Sequence, residues 1–306
     1  MELLLLRHGK SEWPEGVDDL LRPLSDRGKR DAQRVGDYLR ANQLLPDCVI
    51  SSPAKRALET AEKCVKAAGM TVSDIQVDER LYHASAAALG DVADEQVCQR
   101  LLMVGHNPGM EMWLENLAVT PLELTTKGKL MTTATLAVCR HDETLLIRPD
   151  DLPERFHFFT DIGIEWRDRP QYYYIQSGAI PYEIDNGVLR FLLIGDMDGK
   201  KWSMPKGIVE PGLSPAASAA KEAEEEAGVQ GDIDAEPTTT FPLRKWGAEL
   251  SVSFFSMRVD TLLPDDEWES GKRVRKWMTP EKAAKEIKFP ELADELVPLA
   301  ERLLHR

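Results

Sequence analysis

GIVEPGLSPAASAAKEAEEEAGV (residues 207–229) contains a helix whose two ends are both marked in the sequence. Ser214-Pro215 opens it and Gly228 closes it, the asymmetry expected of helix termini. Within it, Glu222, Glu225 and Glu226 stand at i, i+3 and i+4, so three carboxylates share one face. A charge run of this kind is usually a solvated face. Like charges at this spacing repel unless a cation sits among them, and hard oxygen donors suit Mg2+ or Mn2+. Trp202 to Gly207 ends a strand and starts the loop leading into the helix. Strand-like runs at Tyr172–Ala179, Val188–Ile194 and Leu250–Val259, with a last helix at Pro290–Leu304, make this half α+β with a mixed sheet.

Moving toward the N-terminus, periodicity breaks up between Arg140 and Gln171, where Pro149, Pro153, Pro170 and many charges fall. The domain junction is expected here: a first domain at residues 1–155, a linker at 156–171 and a second domain at 172–306. A length of 306 residues fits two cores of roughly 150 each. In the first half, strands at residues 2–6, 47–51 and 101–104 alternate with helical patterns through Val35 to Leu39 and Ala54 to Ala68. That alternation predicts an α/β layer with a mostly parallel sheet and its ligand site at the strand ends.

The net charge of −14 argues against a partner that is a nucleic-acid polymer. The four-residue apolar run Leu3–Leu6 meets Arg7 at once, so it is a buried strand and neither a signal-peptide core nor a membrane span. Cys48, Cys64, Cys98 and Cys139 show no metal-finger spacing, and reduced thiols in a cytoplasmic protein are expected.

Arg7-His8-Gly9 directly follows the first strand. Alone, such a tripeptide is more often a surface turn. Three further pieces accompany it: Arg22-Pro23-Leu24-Ser25 with Gly28, Ser51-Ser52-Pro53 followed by Arg56 and Thr60, and Val104-Gly105-His106-Asn107-Pro108. Phosphoryl transfer to imidazole needs a neutral histidine and cationic donors around the phosphoryl oxygens, and arginine forks match those oxygens. Arg7, Arg56 and His106 supply that set, with Arg22 as a further substrate-binding candidate.

Residues 1–150, including Met131-Thr132-Thr133-Ala134, resemble the histidine phosphatase superfamily and within it the SixA-type phosphohistidine phosphatases. The resemblance implies an α/β sandwich in which His8 accepts the phosphoryl group while Arg7, Arg56 and His106 hold it, with no cofactor. Larger members of that superfamily use a carboxylate proton donor found after a motif read here as Leu81-Tyr82-His83, and no Glu or Asp stands at the matching place. A missing acid matters least for good leaving groups, which favours a phosphoramidate or anhydride substrate. His83 is a candidate substitute, with a surface or cap role the commoner alternative.

Gly207, Leu213 and Lys221-Glu222-Ala223 through Val229 resemble the Nudix box, within a likeness covering about residues 172–300. The resemblance implies a Mg2+- or Mn2+-dependent phosphoanhydride hydrolase with Glu222, Glu225 and Glu226 as metal ligands and Glu225 in catalysis. Two positions depart from the pattern. Leu213 stands where Glu is usual and Lys221 where Arg is usual; Lys221 keeps the charge that balances Glu222 but cannot form the arginine fork. Glu249 is a candidate extra ligand or base. Lys201 and Lys206 are candidate substrate-binding groups, alongside Lys200, Arg244 and Lys245. Trp202, Trp246 and Trp277 are candidates for base stacking, with core packing the commoner role. The substrates implied are nucleoside polyphosphates, dinucleoside polyphosphates or diphosphoinositol polyphosphates. The leading expectation is a bifunctional phosphohydrolase of small phosphorylated molecules with no membrane partner. The alternative is a phosphohistidine protein phosphatase in signalling, with a Nudix domain that acts separately or senses a ligand.

Overall fold

A computed structural model describes residues 1–199, 201–268 and 273–305, so Lys200 lies outside the described residues. The chain divides into two compact units, Met1–Gln171 and Tyr172–Arg306.

In the first unit the elements run β1 (Glu2–Arg7), α1 (Asp26–Ala41), β2 (Cys48–Ser51), α2 (Lys55–Ala68), β3 (Ile75–Val77), α3 (Ala86–Asp94), β4 (Arg100–Gly105), α4 (Gly109–Leu117), β5 (Leu136–Cys139), β6 (Thr144–Ile147), β7 (Phe156–Thr160) and β8 (Gly163–Arg167). The sheet order is β3-β2-β4-β1-β5-β6. β1, β2, β3 and β4 pair in parallel, and β5 and β6 add an antiparallel edge. Both faces are covered. Leu4, Leu6, Leu102 and Val104 pack against Val35 and Leu39 of α1 and Ala57 and Ala61 of α2. Leu3, Leu5, Leu101 and Met103 pack against Leu89 and Val92 of α3 and Met110 and Leu114 of α4. This explains the unbroken leucine run of β1, since a central strand buried on both sides has no face to leave polar.

Residues 156–171 are not a free linker. Phe156–Arg167 forms the β7–β8 hairpin, Phe156 is fully buried, and His157 Nδ1 meets Asp37 Oδ2 of α1 at 2.7 Å. The prolines and charges around it hid a hairpin whose contact with Asp37 of α1 spans 120 residues of sequence.

The second unit comprises β9 (Ile175–Asp185), β10 (Val188–Gly195), β11 (Trp202–Ser203), β12 (Lys206–Ile208), α5 (Pro215–Ala227), β13 (Val229–Ile233), β14 (Thr239–Lys245), β15 (Ala248–Leu262), β16 (Val274–Met278), α6 (Pro280–Glu286) and α7 (Pro290–Leu304). Among the described residues these strands form one eight-stranded sheet. It is mixed: β9 runs parallel to β15, and the other pairings are antiparallel. Tyr172 to Tyr174, expected in the first strand, instead lie in a 3-10 turn.

In α5, Ser214 Oγ accepts from Ala217 N and Gly228 takes the left-handed conformation, as the sequence required. Ala219, Ala223 and Ala227 line its inner face and pack on Ala179, Leu192, Ile194, Phe255 and Met257. Their small side chains bring the helix close to the sheet. No described helix is long and apolar enough to cross a membrane.

Candidate functional site

The first site forms at the carboxyl ends of β1, β2 and β4. His8 follows β1 directly, and its backbone is held from two sides: its N–H donates to Gly105 O at 3.0 Å, while Ala134 N donates to the Arg7 and His8 carbonyls, each at 3.1 Å. The Met131–Ala134 segment thus clamps the turn that carries His8. Thr60 of α2 accepts from Gly9 N at 2.9 Å. Gly28 lies against Gly9 and Lys10: a Cβ on Gly9 would fall 2.8 Å from Gly28 O, and one on Gly28 2.1 Å from Lys10 O. Only glycine allows α1 to begin against this turn.

His8 Nδ1 lies 2.7 Å from Gly9 O. A carbonyl oxygen can only accept, so Nδ1 carries the proton and Nε2 keeps its lone pair. Burial, with Arg56, Arg7 and Arg22 nearby, pulls the His8 pKa down to about 4 against the opposing pull of the Gly9 carbonyl. His106, after β4, lies with its ring centroid 5.0 Å from that of His8. Its Nε2 meets Ser52 Oγ at 2.8 Å, and burial, then His8 and Arg56, lowers its pKa to about 3. Both imidazoles are neutral at pH 7.

Arg7 donates from Nη1 to Met131 O, while Arg7 Nε and His106 Nδ1 are buried without a partner. Unpaired buried polar atoms are costly; Arg7 Nε can only donate and would be satisfied by an anion, and His106 Nδ1 donates likewise when Ser52 Oγ gives its proton to Nε2. Arg56, at the start of α2, donates to Asp19 O and, at 2.9 Å, to Asp19 Oδ2. Arg22 is spread over three acceptors: Glu12 O at 3.1 Å, Asp19 Oδ1 at 2.7 Å and Ser11 Oγ at 2.6 Å. It braces the loop as much as it faces the site.

Asp19 was not singled out in the sequence. It also accepts from Tyr82 Oη at 2.8 Å and lies 4.0 Å from His83 Nε2. Burial pushes its carboxyl upward, but the hydrogen bonds from Arg22, Tyr82 and Arg56 outweigh this and hold it well below the usual carboxylate range. It is therefore an anion and not a proton donor at neutral pH. The signal available was its i, i+3 spacing to Arg22. His83 is exposed at the rim, in the left-handed region at φ 54°.

In the second unit, Gly207 of β12 backs onto Glu222 of α5; a Cβ there would fall 1.8 Å from Glu222 Oε1. Burial, then repulsion from Glu226 and Glu225, pushes the Glu222 pKa up to about 7. Glu226 accepts from Lys206 N at 3.0 Å and from Arg273 Nη2. Glu225 is exposed and 3.8 Å from Lys221 Nζ. Lys221 pairs most closely with Glu210, at 3.1 Å, rather than with Glu222. Glu210 thus stands beside the box where Leu213, exposed at 40%, contributes no charge. The three carboxylates do not converge into a closed cage. Among the described residues, the one trio of metal-capable side chains with donor atoms within 4.8 Å is Asp47, Cys48 and Cys98 of the first unit. The Glu222 face nevertheless fits a divalent cation, because a half-buried carboxyl destabilised by two like neighbours is relieved by a positive ion.

Lys206 donates to Gln176 Oε1 at 2.8 Å, and burial lowers its pKa. Lys201 lines a cavity of about 330 Å³ with Asp196, Trp202, Ser203, Arg273 and Lys288. Trp202 is 9% exposed and its ring packs on Gly195. Trp277 packs on the α5 core, and Trp246 meets the rings of Tyr173 and Tyr174. Arg244, Lys245 and Glu249 are exposed on β14 and β15.

Residues 3–100 match the model of the histidine phosphatase superfamily (branch 1), and residues 179–300 match that of the NUDIX domain. An uncharacterized Mycobacterium tuberculosis protein is 39% identical over 109 residues, covering 34% of this chain and 63% of its own length. The chain thus spans less than two thirds of that relative. A 2,3-bisphosphoglycerate-dependent phosphoglycerate mutase of Bifidobacterium longum is 37% identical over 93 residues, covering 29% of this chain and 37% of the mutase. Among solved structures, a protein assigned as phosphohistidine phosphatase SixA from Agrobacterium tumefaciens shares 29% identity, with a TM-score of 0.41 over 47% of this chain and 97% of that one. A C. elegans Ap4A hydrolase shares 23% identity, with a TM-score of 0.37 over 44% of this chain and 99% of that one. The two family models fall on the two compact units, one on each: the chain joins a domain of the histidine phosphatase superfamily to a NUDIX domain, both families of enzymes that act on phosphate bonds.

Proposed function

We propose that the chain is a bifunctional cytoplasmic phosphohydrolase of small phosphorylated substrates, with a histidine-nucleophile phosphatase in the first unit and a phosphoanhydride hydrolase in the second. The observation that carries the reading is His8: a half-buried, neutral imidazole whose Nδ1 is tied to Gly9 O, leaving Nε2 free among Arg7, Arg56 and His106. Nε2 attacks phosphorus, the bond to the leaving group breaks and its electron pair departs with that group. Water then hydrolyses the phosphorus–nitrogen bond, releasing inorganic phosphate and restoring His8. Arg7 Nε and His106 Nδ1, both unpaired and buried, donate to the phosphoryl oxygens. The first site lacks a carboxylic acid able to protonate a poor leaving group, which supports a phosphoramidate or an anhydride as substrate, phosphohistidine on a partner protein included.

In the second unit, Glu222, Glu225 and Glu226 would hold Mg2+ or Mn2+, which when bound neutralises the charge of the phosphoanhydride oxygens. Lys221 keeps Glu210 and Glu225 in place, and Lys201, with Lys206 beside it in the sequence, offers cationic groups to the phosphates of a nucleoside, dinucleoside or inositol pyrophosphate. A hydrolysis screen of those compounds, with and without Mg2+, on the wild type and on the His8→Ala and Glu225→Gln variants tests both halves. Glu225→Gln should abolish only the Mg2+-dependent activity and His8→Ala only the metal-independent one. Loss of both activities in either single variant would refute the division.

A further inference from the structure

The phosphatase site carries three guanidinium charges, from Arg7, Arg22 and Arg56; the Asp19 carboxylate pairs with Arg22 and Arg56 and Glu111 acts on Arg7, while the imidazoles of His8 and His106 are neutral. Its groups are not equally exposed. The side chains of Arg56 and Arg22 are 5% and 7% exposed, against 40% for Asp19 and 63% for His83. A phosphoryl group can sit on the buried floor, but whatever it is attached to must lie at the rim, beside Asp19.

The Asp19 carboxylate is fixed there by Arg22, Arg56 and Tyr82 and cannot swing away without breaking those bonds. When the bond from phosphorus to the leaving atom breaks, its electron pair moves outward past this anion. A leaving group that is itself a phosphate or carboxylate gathers negative charge against Asp19. A nitrogen leaving group that enters protonated departs neutral and is not repelled.

We propose that Asp19 is a specificity-determining residue of the phosphatase site: its carboxylate at the mouth favours leaving groups that depart neutral or cationic and rejects those that depart as anions. The inference rests on His8 being the nucleophile, and it decides between the two substrate classes left open above, in favour of the phosphoramidate.

The test uses the full chain without divalent metal, so that the second unit is silent, and compares kcat/KM for phosphoimidazole with that for pyrophosphate and for acetyl phosphate. In the wild type the ratio should favour phosphoimidazole. Asp19→Asn should cut that preference on the order of tenfold, through a gain on the anionic substrates, and Asp19→Glu should restore it. Equal loss on all three substrates in Asp19→Asn would show that Asp19 only braces the arginines and would overturn the proposal. Should Asp19→Asn not fold, raising the salt concentration on the wild type gives the same reading, because an exposed charge is screened and the preference should shrink; a salt-independent ratio overturns the proposal. Hydrolysis that survives in His8→Ala would instead overturn the underlying assignment, and the proposal with it.

Discussion

Replacing Gly207 with alanine separates metal binding from folding in the second unit. The added Cβ would lie 1.8 Å from Glu222 Oε1, 2.1 Å from its Cδ and 2.5 Å from Oε2, whereas a comfortable contact needs about 3.5 Å or more. All three clashing atoms belong to the end of one flexible side chain and none to the backbone. The strand therefore stays in place and the carboxylate moves by roughly 1.5 Å or more. The stability cost should stay at about 1 kcal/mol, the low end for an added methyl that neighbours can accommodate. A ligand displaced that far no longer meets the cation, and metal affinity should drop roughly 10- to 100-fold, as when a metal site loses its supporting interactions. Calorimetric titration with Mg2+ or Mn2+, alongside thermal unfolding and pyrophosphate-bond hydrolysis, reads the terms separately. The expected result is a nearly unchanged melting temperature, weakened metal binding and a matching loss of metal-dependent hydrolysis, with metal-independent phosphatase activity retained. Wild-type metal affinity in Gly207→Ala would show that Glu222 is not a ligand.

Three further outcomes follow from the first unit. Rapid quenching with labelled substrate should trap acid-labile, base-stable phosphate on His8, and His8→Ala should remove it; label on a serine would defeat the mechanism. Arg56→Ala should lower kcat by roughly a hundredfold, the usual effect of losing one preorganised donor, while a drop below tenfold would assign Arg56 to bracing Asp19 alone. His8 is held neutral to about pH 4, whereas an unfolded histidine protonates near its ordinary value of 6.5. The unfolded chain therefore binds more protons between these values, and the stability of this unit should fall as pH drops from about 6.5 toward 4. Over the same window kcat/KM should hold nearly level, and an acid limb centred near 6.5 would show that His8 is not shielded from protonation.

The features legible in the sequence were local ones. Leu3–Leu6 declared a buried strand, and Ser214, Pro215 and Gly228 marked the ends of α5. The spacing of Glu222, Glu225 and Glu226 put three carboxylates on one helical face before any fold was known, because helical periodicity depends only on neighbours along the chain. His8, Arg7, Arg56 and His106 could be singled out as candidates because each lies at a strand end, a helix start or the turn between them, where α/β sheets place their ligands. The departures at Leu213 and Lys221 were also visible, but their consequence was not: the partner of Lys221 is Glu210, across the turn that precedes α5.

What the tertiary structure alone decided are the meetings between residues far apart in sequence. Asp19 reaches Arg56 and Tyr82 across separations of 37 and 63 residues, Glu226 meets Arg273 across 47, and His157 meets Asp37 across 120. A pattern of charges says that a carboxylate needs a partner, yet many arginines in the chain satisfy that need equally well. The choice among them is made by the packing of apolar faces, which brings loop, helix and strand together at fixed distances. Local spacing and periodicity therefore marked β1 and α5 and the residues beside them, and the three-dimensional packing bound the carboxylate of Asp19 to Arg56 and turned Glu226 toward Arg273.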